Sequence, residues 1–211
     1  MIKIKDPVSG FSHLIGVILA IIGTIILVIN AQDVKEIVCF LIFGITAFVL
    51  YSASTIYHLF GAPASEIGYL RKIDHASIYF LIAGTFTPFC ALIAKGVLGY
   101  SLLIIIWILA LAGSSTIFLN SFWKHLGRWA STGLYIFMGW IALFMIYPMR
   151  MYPIIITWII VGGIFYTIGA AIYATKKPNL FKGFGFHELF HIFVLLGTIS
   201  HFIAIYQITL N

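Results

Sequence analysis

Seven long apolar stretches, separated by short polar segments, run through this sequence of 211 residues. None of them alternates apolar and polar residues as the strands of a membrane barrel do. Each approaches the ~20 residues that a helix needs to cross a bilayer. The pattern therefore predicts an all-α fold, a seven-transmembrane helix bundle that forms a single domain over residues 1–211. The predicted spans are about 13–31, 37–58, 75–95, 98–119, 129–147, 153–175 and 187–208.

The composition supports a membrane-embedded chain. Hydrophobic residues make up 62% of the sequence and charged residues only 9%, whereas soluble domains carry roughly 25% charged residues. The first apolar stretch is long and lacks a clear cleavage site of small residues, so we expect it to remain as the first span.

The net charge of +6 is distributed unevenly between alternate loops. Nine of the twelve Lys and Arg residues lie in the N-terminal segment and in the second, fourth and sixth loops, and the other three lie on the opposite side. Basic loops tend to stay in the cytoplasm, so the N-terminus is predicted to be cytoplasmic and the C-terminus outside. The basic loops are expected to contact anionic lipid headgroups rather than nucleic acid.

Four ionisable side chains fall at the ends of predicted spans that meet at the same face of the membrane. His58 ends the second span, Asp74 precedes the third, and His187 and His191 open the seventh. The last two are four residues apart and share one helix face. Ionisable groups at membrane depth indicate function, and three imidazoles with a carboxylate suit a catalytic zinc ion, Zn²⁺.

Two further roles follow from this interpretation. Asp74 would either accept a hydrogen bond from a metal-bound water or bind the metal directly. Ser54, one turn deeper than His58 on the same face, would orient that water or a substrate carbonyl. Zinc lowers the pKa of its water toward ~7 and polarises carbonyls, which makes hydrolysis feasible at neutral pH.

Residues 187–191 also spell H-E-x-x-H, the motif in which zinc proteases use the glutamate as general base. Such proteases in membranes need a further acidic ligand, and no Asp or Glu follows Glu188. We interpret Glu188 as an acid in the first turn of a helix, where it complements the helix dipole.

The remaining histidines are weaker candidates. A single histidine near a membrane boundary is usually interfacial, which is the interpretation of His75, and His125 lies in a basic loop. His13 opens the first span at the level of the cluster and could support it. His201 lies fourteen residues beyond His187, ~21 Å along the helix axis, so a buried hydrogen bond is predicted for it instead.

Five short motifs in order resemble those of the hemolysin III family, the bacterial branch of the progestin and adiponectin receptor (PAQR) superfamily. The resemblance covers most of the chain. The motifs are Asp6-Pro7 with Ser12-His13, Ser54-x-x-x-His58, Asp74-His75-Ala76-Ser77-Ile78, Gly84-Thr85-Phe86-Thr87-Pro88, and His187-x-x-x-His191 with Ser200-His201-Phe202.

The resemblance implies a seven-helix protein of the bacterial cell membrane with zinc near its cytoplasmic face. The zinc histidines of the family correspond to His58, His187 and His191, its water-holding aspartate to Asp74 and its serine to Ser54. Ceramidase-like hydrolysis of lipid amides and a part in membrane homeostasis are implied in the same way. Asp6 stands where the family commonly has a glutamate, which leaves the role of that position open.

Three functions remain open at this stage. The first is a zinc-dependent hydrolase of amide or ester bonds in a membrane lipid. The second is a pore-forming cytolysin, although no helix carries a charged stripe to line a wide aqueous pore. The third is a receptor or sensor in which zinc is structural, since closed zinc sites also tie helices together.

Overall fold

The computed structural model describes residues 6–60, 64–119, 131–181 and 183–210, with the backbone alone for residues 64–67. Helices dominate these ranges, and the only β-pairing within them is an isolated bridge between Phe181 and Phe184. The helices, in chain order, are α1 (Pro7–Ile29), α2 (Val34–Leu59), α3 (Ala64–Pro88), α4 (Gly96–Phe118), α5 (Ser131–Met145), α6 (Pro153–Thr175) and α7 (Phe186–Tyr206). The last turn of α5 is a 3₁₀-helix (Ile141–Met145), and another (Gln207–Leu210) follows α7.

Six of these helices, all except α5, are long and apolar enough to cross a membrane. α5 is a shorter apolar helix, and the first two residues of the predicted span 129–147 lie outside the described ranges. The protein is therefore a multi-pass helical membrane protein, and the all-α prediction is confirmed for the part of the chain that can be described.

Local sequence explains several helix ends. α1 and α6 each begin at a proline, which is favoured at the first helical position because its missing N–H would be unpaired there in any case. At the start of α2 the Asp33 carboxylate accepts a hydrogen bond from the Glu36 amide at 2.8 Å. This contact satisfies one of the free amides that every helix leaves at its N-terminus.

α3 differs from the prediction at both ends. It begins at Ala64 rather than near residue 75, so that Asp74 lies within the helix and not at its start. Hydropathy marks the apolar part of a helix, and α3 extends beyond that part through a polar stretch. After Pro88, which cannot donate to the helical ladder, the backbone widens into a π-helix (Phe89–Ala94). The next two residues, Lys95 and Gly96, both have positive φ.

The helices pack in the spatial order α4, α3, α2, α1, α7 and α6, each against the next. Some contacts are close enough to require glycine, since a β-carbon on Gly16 would overlap the Tyr51 ring. The outer surface is apolar, with Ile15, Ile18 and Ile22 each about half exposed on α1. A face of this kind is suited to lipid rather than water.

A candidate metal centre at the end of helices α2 and α7

Three histidines meet where α2 ends and α7 begins. One possible ligand atom from each of His58, His187 and His191 lies within 4.8 Å of the other two. The Nε2 atoms of His58 and His187 are 3.3 Å apart, and the His58 and His191 rings pack edge to face with centroids 4.8 Å apart. His58 and His191 are almost completely buried. The predicted trio is therefore assembled, and it can hold a metal ion.

Asp6, immediately before α1, fixes the orientation of His58. Its Oδ2 atom lies 3.2 Å from His58 Nδ1, and its backbone amide donates to the His58 carbonyl at 3.1 Å. Because a carboxylate accepts a hydrogen bond from Nδ1–H, the Nε2 atom keeps its lone pair for a metal. This role of Asp6 was not predicted from the sequence.

Glu188 serves the start of α7. Its Oε2 atom accepts a hydrogen bond from the Gly185 amide at 2.8 Å, and its Oε1 atom accepts one from the Ser9 hydroxyl at 3.2 Å. The side chain thus caps α7 and ties it to α1. The interpretation of Glu188 as a residue of the first helical turn is confirmed, and its carboxylate is not part of the three-histidine group.

Asp74 and Ser54 line the same cavity as His187 and His191. Asp74 is partly buried, and its carboxylate lies outside the group of mutually close ligand atoms. The buried Ser54 hydroxyl faces the Asp74 carboxylate without completing a direct hydrogen bond to it. These two predicted residues therefore share a cavity with His187 and His191.

The other three described histidines lie in three different positions. His13 is buried with its ring stacked on His191, the centroids 3.8 Å apart, and it fits the predicted supporting position. His75 lines the cavity rather than the outer surface. His201 Nε2 donates to the Ile159 carbonyl at 3.2 Å, so its predicted buried hydrogen bond is confirmed. His125 lies outside the described residues.

The cavity beside the histidines has a volume of about 480 Å³. His187, His191 and Asp74 belong to its lining, and most of the other lining residues are apolar. Several lining residues are also exposed on the outside, among them Trp140 and Leu143 of α5 and Ile160 and Ile164 of α6. The cavity therefore opens sideways between α5 and α6, toward the space that lipid would occupy.

Apolar crossing helices, a buried three-histidine group and a laterally open cavity define a class of multi-pass membrane protein with an internal histidine group that could hold a metal ion. Comparison with known proteins makes the assignment more specific. The pattern of the family described as "Haemolysin-III related" matches residues 1–202. The chain belongs to this hemolysin III family, within the PAQR superfamily.

Individual relatives cover nearly the whole chain. Hemolysin-3 of Bacillus cereus is 35% identical over 95% of this chain and 90% of its own length. The Hemolysin-3 homolog of Bacillus subtilis (strain 168) is 35% identical over 97% of this chain and 95% of its own length. The human monocyte to macrophage differentiation factor is 24% identical over 96% of this chain and 84% of its own length.

Proposed function

We propose that the protein is a zinc-dependent hydrolase of amide or ester bonds in membrane lipids, with zinc held by His58, His187 and His191. The 3.3 Å separation of two Nε2 atoms in the trio is the observation that carries the proposal. In a tetrahedral site with Zn–N bonds of ~2.0–2.1 Å, neighbouring ligand nitrogens lie ~3.3 Å apart. One pair of the trio therefore has the spacing of a tetrahedral zinc site, and imidazole nitrogen is a ligand that zinc prefers.

The number of protein ligands supports catalysis over a structural role. Structural zinc sites usually have four protein ligands, whereas catalytic ones have three and leave a position open. Among the described residues, the group of close donor atoms contains three histidines and no fourth ligand. Asp74 and Ser54 line the same cavity as His187 and His191, which supports their proposed contact with a substrate in that cavity.

Zinc bound at this trio supplies Lewis acidity, which activates water and polarises a carbonyl. Asp74 is proposed to accept the proton of the attacking water, and Ser54 to orient the carbonyl by a hydrogen bond. The water oxygen adds to the carbonyl carbon and the bond to the amine or alcohol breaks. The leaving group takes up the proton from Asp74, and the other product is a fatty acid.

The lining and the opening of the cavity support a lipid as the substrate. Its mostly apolar walls suit an acyl chain, and its opening between α5 and α6 gives entry from the bilayer. We further propose that the chain is a single domain of seven spans in the bacterial cell membrane, with a cytoplasmic N-terminus. The apolar helices and the bias of basic loops support this arrangement, which puts the zinc site near the cytoplasmic face.

Metal analysis of purified protein tests the site. The wild type is expected to retain about one zinc per chain, and His187→Ala and His191→Ala are expected to lose it. His201→Gln is the matched control, because it alters a histidine of the same helix while the new amide can still donate to the Ile159 carbonyl. Zinc absent from the wild type, or undiminished in both alanine variants, would refute the site.

Turnover needs a separate measurement. Asp74→Asn is expected to lower lipid hydrolysis by roughly 10²–10⁴-fold, as the loss of a general base does, while zinc content stays at the wild-type level. Fatty acid release from lipids in vesicles, followed by mass spectrometry, provides the assay. Unchanged hydrolysis in Asp74→Asn would refute its role as base, and zinc without any hydrolysis would favour the structural-zinc receptor.

A further inference from the structure

We propose that the lipid substrate is anionic, and that Arg71 and Lys176 bind a phosphate in its headgroup at the mouth of the cavity. The inference rests on the proposed function, since it names the substrate class of the same site. Both side chains line the cavity that contains His187, His191 and Asp74, and both are exposed. Arg71 lies on α3 and Lys176 caps the end of α6, so folding alone brings them to the same cavity.

Ring contacts place the two cations relative to the metal site. The Tyr173 ring lies between His75 and His187, with centroid distances of 6.4 Å and 6.1 Å. Arg71 is four residues before His75 on α3, and Lys176 is three residues after Tyr173 at the end of α6. Because α3 begins at this end of the bundle and α6 ends there, both cations lie one turn outward, ~4.5–6 Å along the axes.

The charges at this mouth have no neutralising partner among the residues that the structure describes. Within the part of the chain that the structure describes, no carboxylate forms an ion pair with Arg71 or Lys176. Lys176 also ends α6 in the left-handed conformation, with φ 59°, where glycine would be relaxed. A lysine in this position places a cation at the mouth despite a modest backbone cost.

The arrangement matches a phospholipid better than a neutral lipid. A carbonyl at the histidines would leave a headgroup phosphate about one turn outward, where the guanidinium can donate two parallel hydrogen bonds to it. Lysine adds a second, compact positive charge. A lipid with only hydroxyl groups in its headgroup would bring no negative charge to either cation.

Membrane orientation alone also favours basic residues at this face, so the test needs controls that share that property. Lys72 and Lys177 are the chain neighbours of Arg71 and Lys176, and neither lines the cavity. The double variants Arg71→Gln/Lys176→Gln and Lys72→Gln/Lys177→Gln remove the same charge from the same two segments. Only the first pair is predicted to affect recognition of the lipid.

The experiment measures binding to the full-length protein in a neutral detergent at fixed salt. The probes are dioctanoyl phosphatidic acid, dioctanoylglycerol and inorganic phosphate. A surface charge contributes ~1 kcal/mol per residue to attraction of an anionic lipid, which is about fivefold in affinity. Arg71→Gln/Lys176→Gln is therefore expected to weaken phosphatidic acid binding by about 25-fold and to leave dioctanoylglycerol binding unchanged, whereas the control pair binds both lipids as the wild type does.

Three results would overturn the inference: equal affinity of the wild type for both lipids, an equal loss in the control pair, or phosphate binding as tight as phosphatidic acid binding. The last would indicate a site for a free anion rather than for a lipid headgroup. Because the assay measures binding and not hydrolysis, the two cations are tested even if the protein hydrolyses neither probe. That failure would count against ester hydrolysis in the proposed function and not against the anion site.

Discussion

At the scale of single residues, the three-histidine group depends on a contact between Asp6, just before α1, and the end of α2. Asp6 holds His58 through a side-chain and a backbone hydrogen bond, which fixes the tautomer with a lone pair on Nε2. Removing such a supporting group typically weakens metal binding by 10–100-fold. Asp6→Asn is therefore expected to weaken zinc affinity by roughly 10–100-fold, measured by competition with a chelator.

Two controls separate positioning from a general loss of charge. Asp6→Glu keeps a carboxylate and is expected to recover most of the affinity. Glu188→Gln removes a negative charge from the contact between α1 and α7, and Glu188 contacts Ser9 and the Gly185 amide rather than an imidazole. Equal losses of zinc affinity in Asp6→Asn and Glu188→Gln would argue against a specific role for Asp6.

The sequence predicts some residues of this site and misses others. His187 and His191 were found because a spacing of four puts two side chains on one helix face, and His58 because helix ends at one membrane face have similar depth. Asp6 was missed because its contact spans 52 positions along the chain and no periodic pattern encodes it. The stacking of His13 on His191 likewise depends on how α1 packs against α7.

At the scale of elements, the π-helix that follows α3 is held by a lysine of α2. Lys35, at the start of α2, donates through Nζ to the Ala91 carbonyl at 2.9 Å and to the Tyr100 hydroxyl at 3.1 Å. The carbonyl belongs to the π-helix that follows Pro88. Lys35 thus joins α2, the π-helix and α4 at one end of the bundle.

Lys35→Met tests this contact. It keeps a long side chain but removes both hydrogen bonds, and we expect it to lower the free energy of unfolding by about 1 kcal/mol. Lys95→Met is the control, since it removes a basic residue beside the same π-helix. Thermal unfolding in one detergent compares the two, and an equal drop in midpoint would mean that Lys35 has no special role.

The bounds of elements were predictable to different degrees. α6 spans Pro153–Thr175, the same residues as its predicted span, because a proline at its start and a basic segment after it bracket the apolar run. α3 begins eleven residues earlier than predicted, since helical backbone continues through polar residues that hydropathy excludes. The π-helix gave no periodic signal of its own.

At the scale of the whole molecule, the number of crossings decides which side the C-terminus occupies. Six helices are long enough to cross, whereas α5 is shorter, and at 1.5 Å per residue it does not cover a hydrocarbon core of ~30 Å. If α5 and its flanking residues cross together, the chain crosses seven times and its ends lie on opposite sides. If they do not, both ends lie on the same side.

The distribution of basic residues favours seven crossings, because only then do nine of the twelve Lys and Arg residues lie on the cytoplasmic side. A periplasmic alkaline phosphatase fused to the C-terminus is therefore expected to be active in a bacterial host, and green fluorescent protein at the same position dark. Green fluorescent protein fused after α2 or after α4 should be fluorescent, and these two fusions give the reference signal for a cytoplasmic position. A fluorescent C-terminal fusion would show that α5 does not cross. It would also put the start of α7 on the face opposite the end of α2, and so contradict the close approach of His58 to His187 and His191.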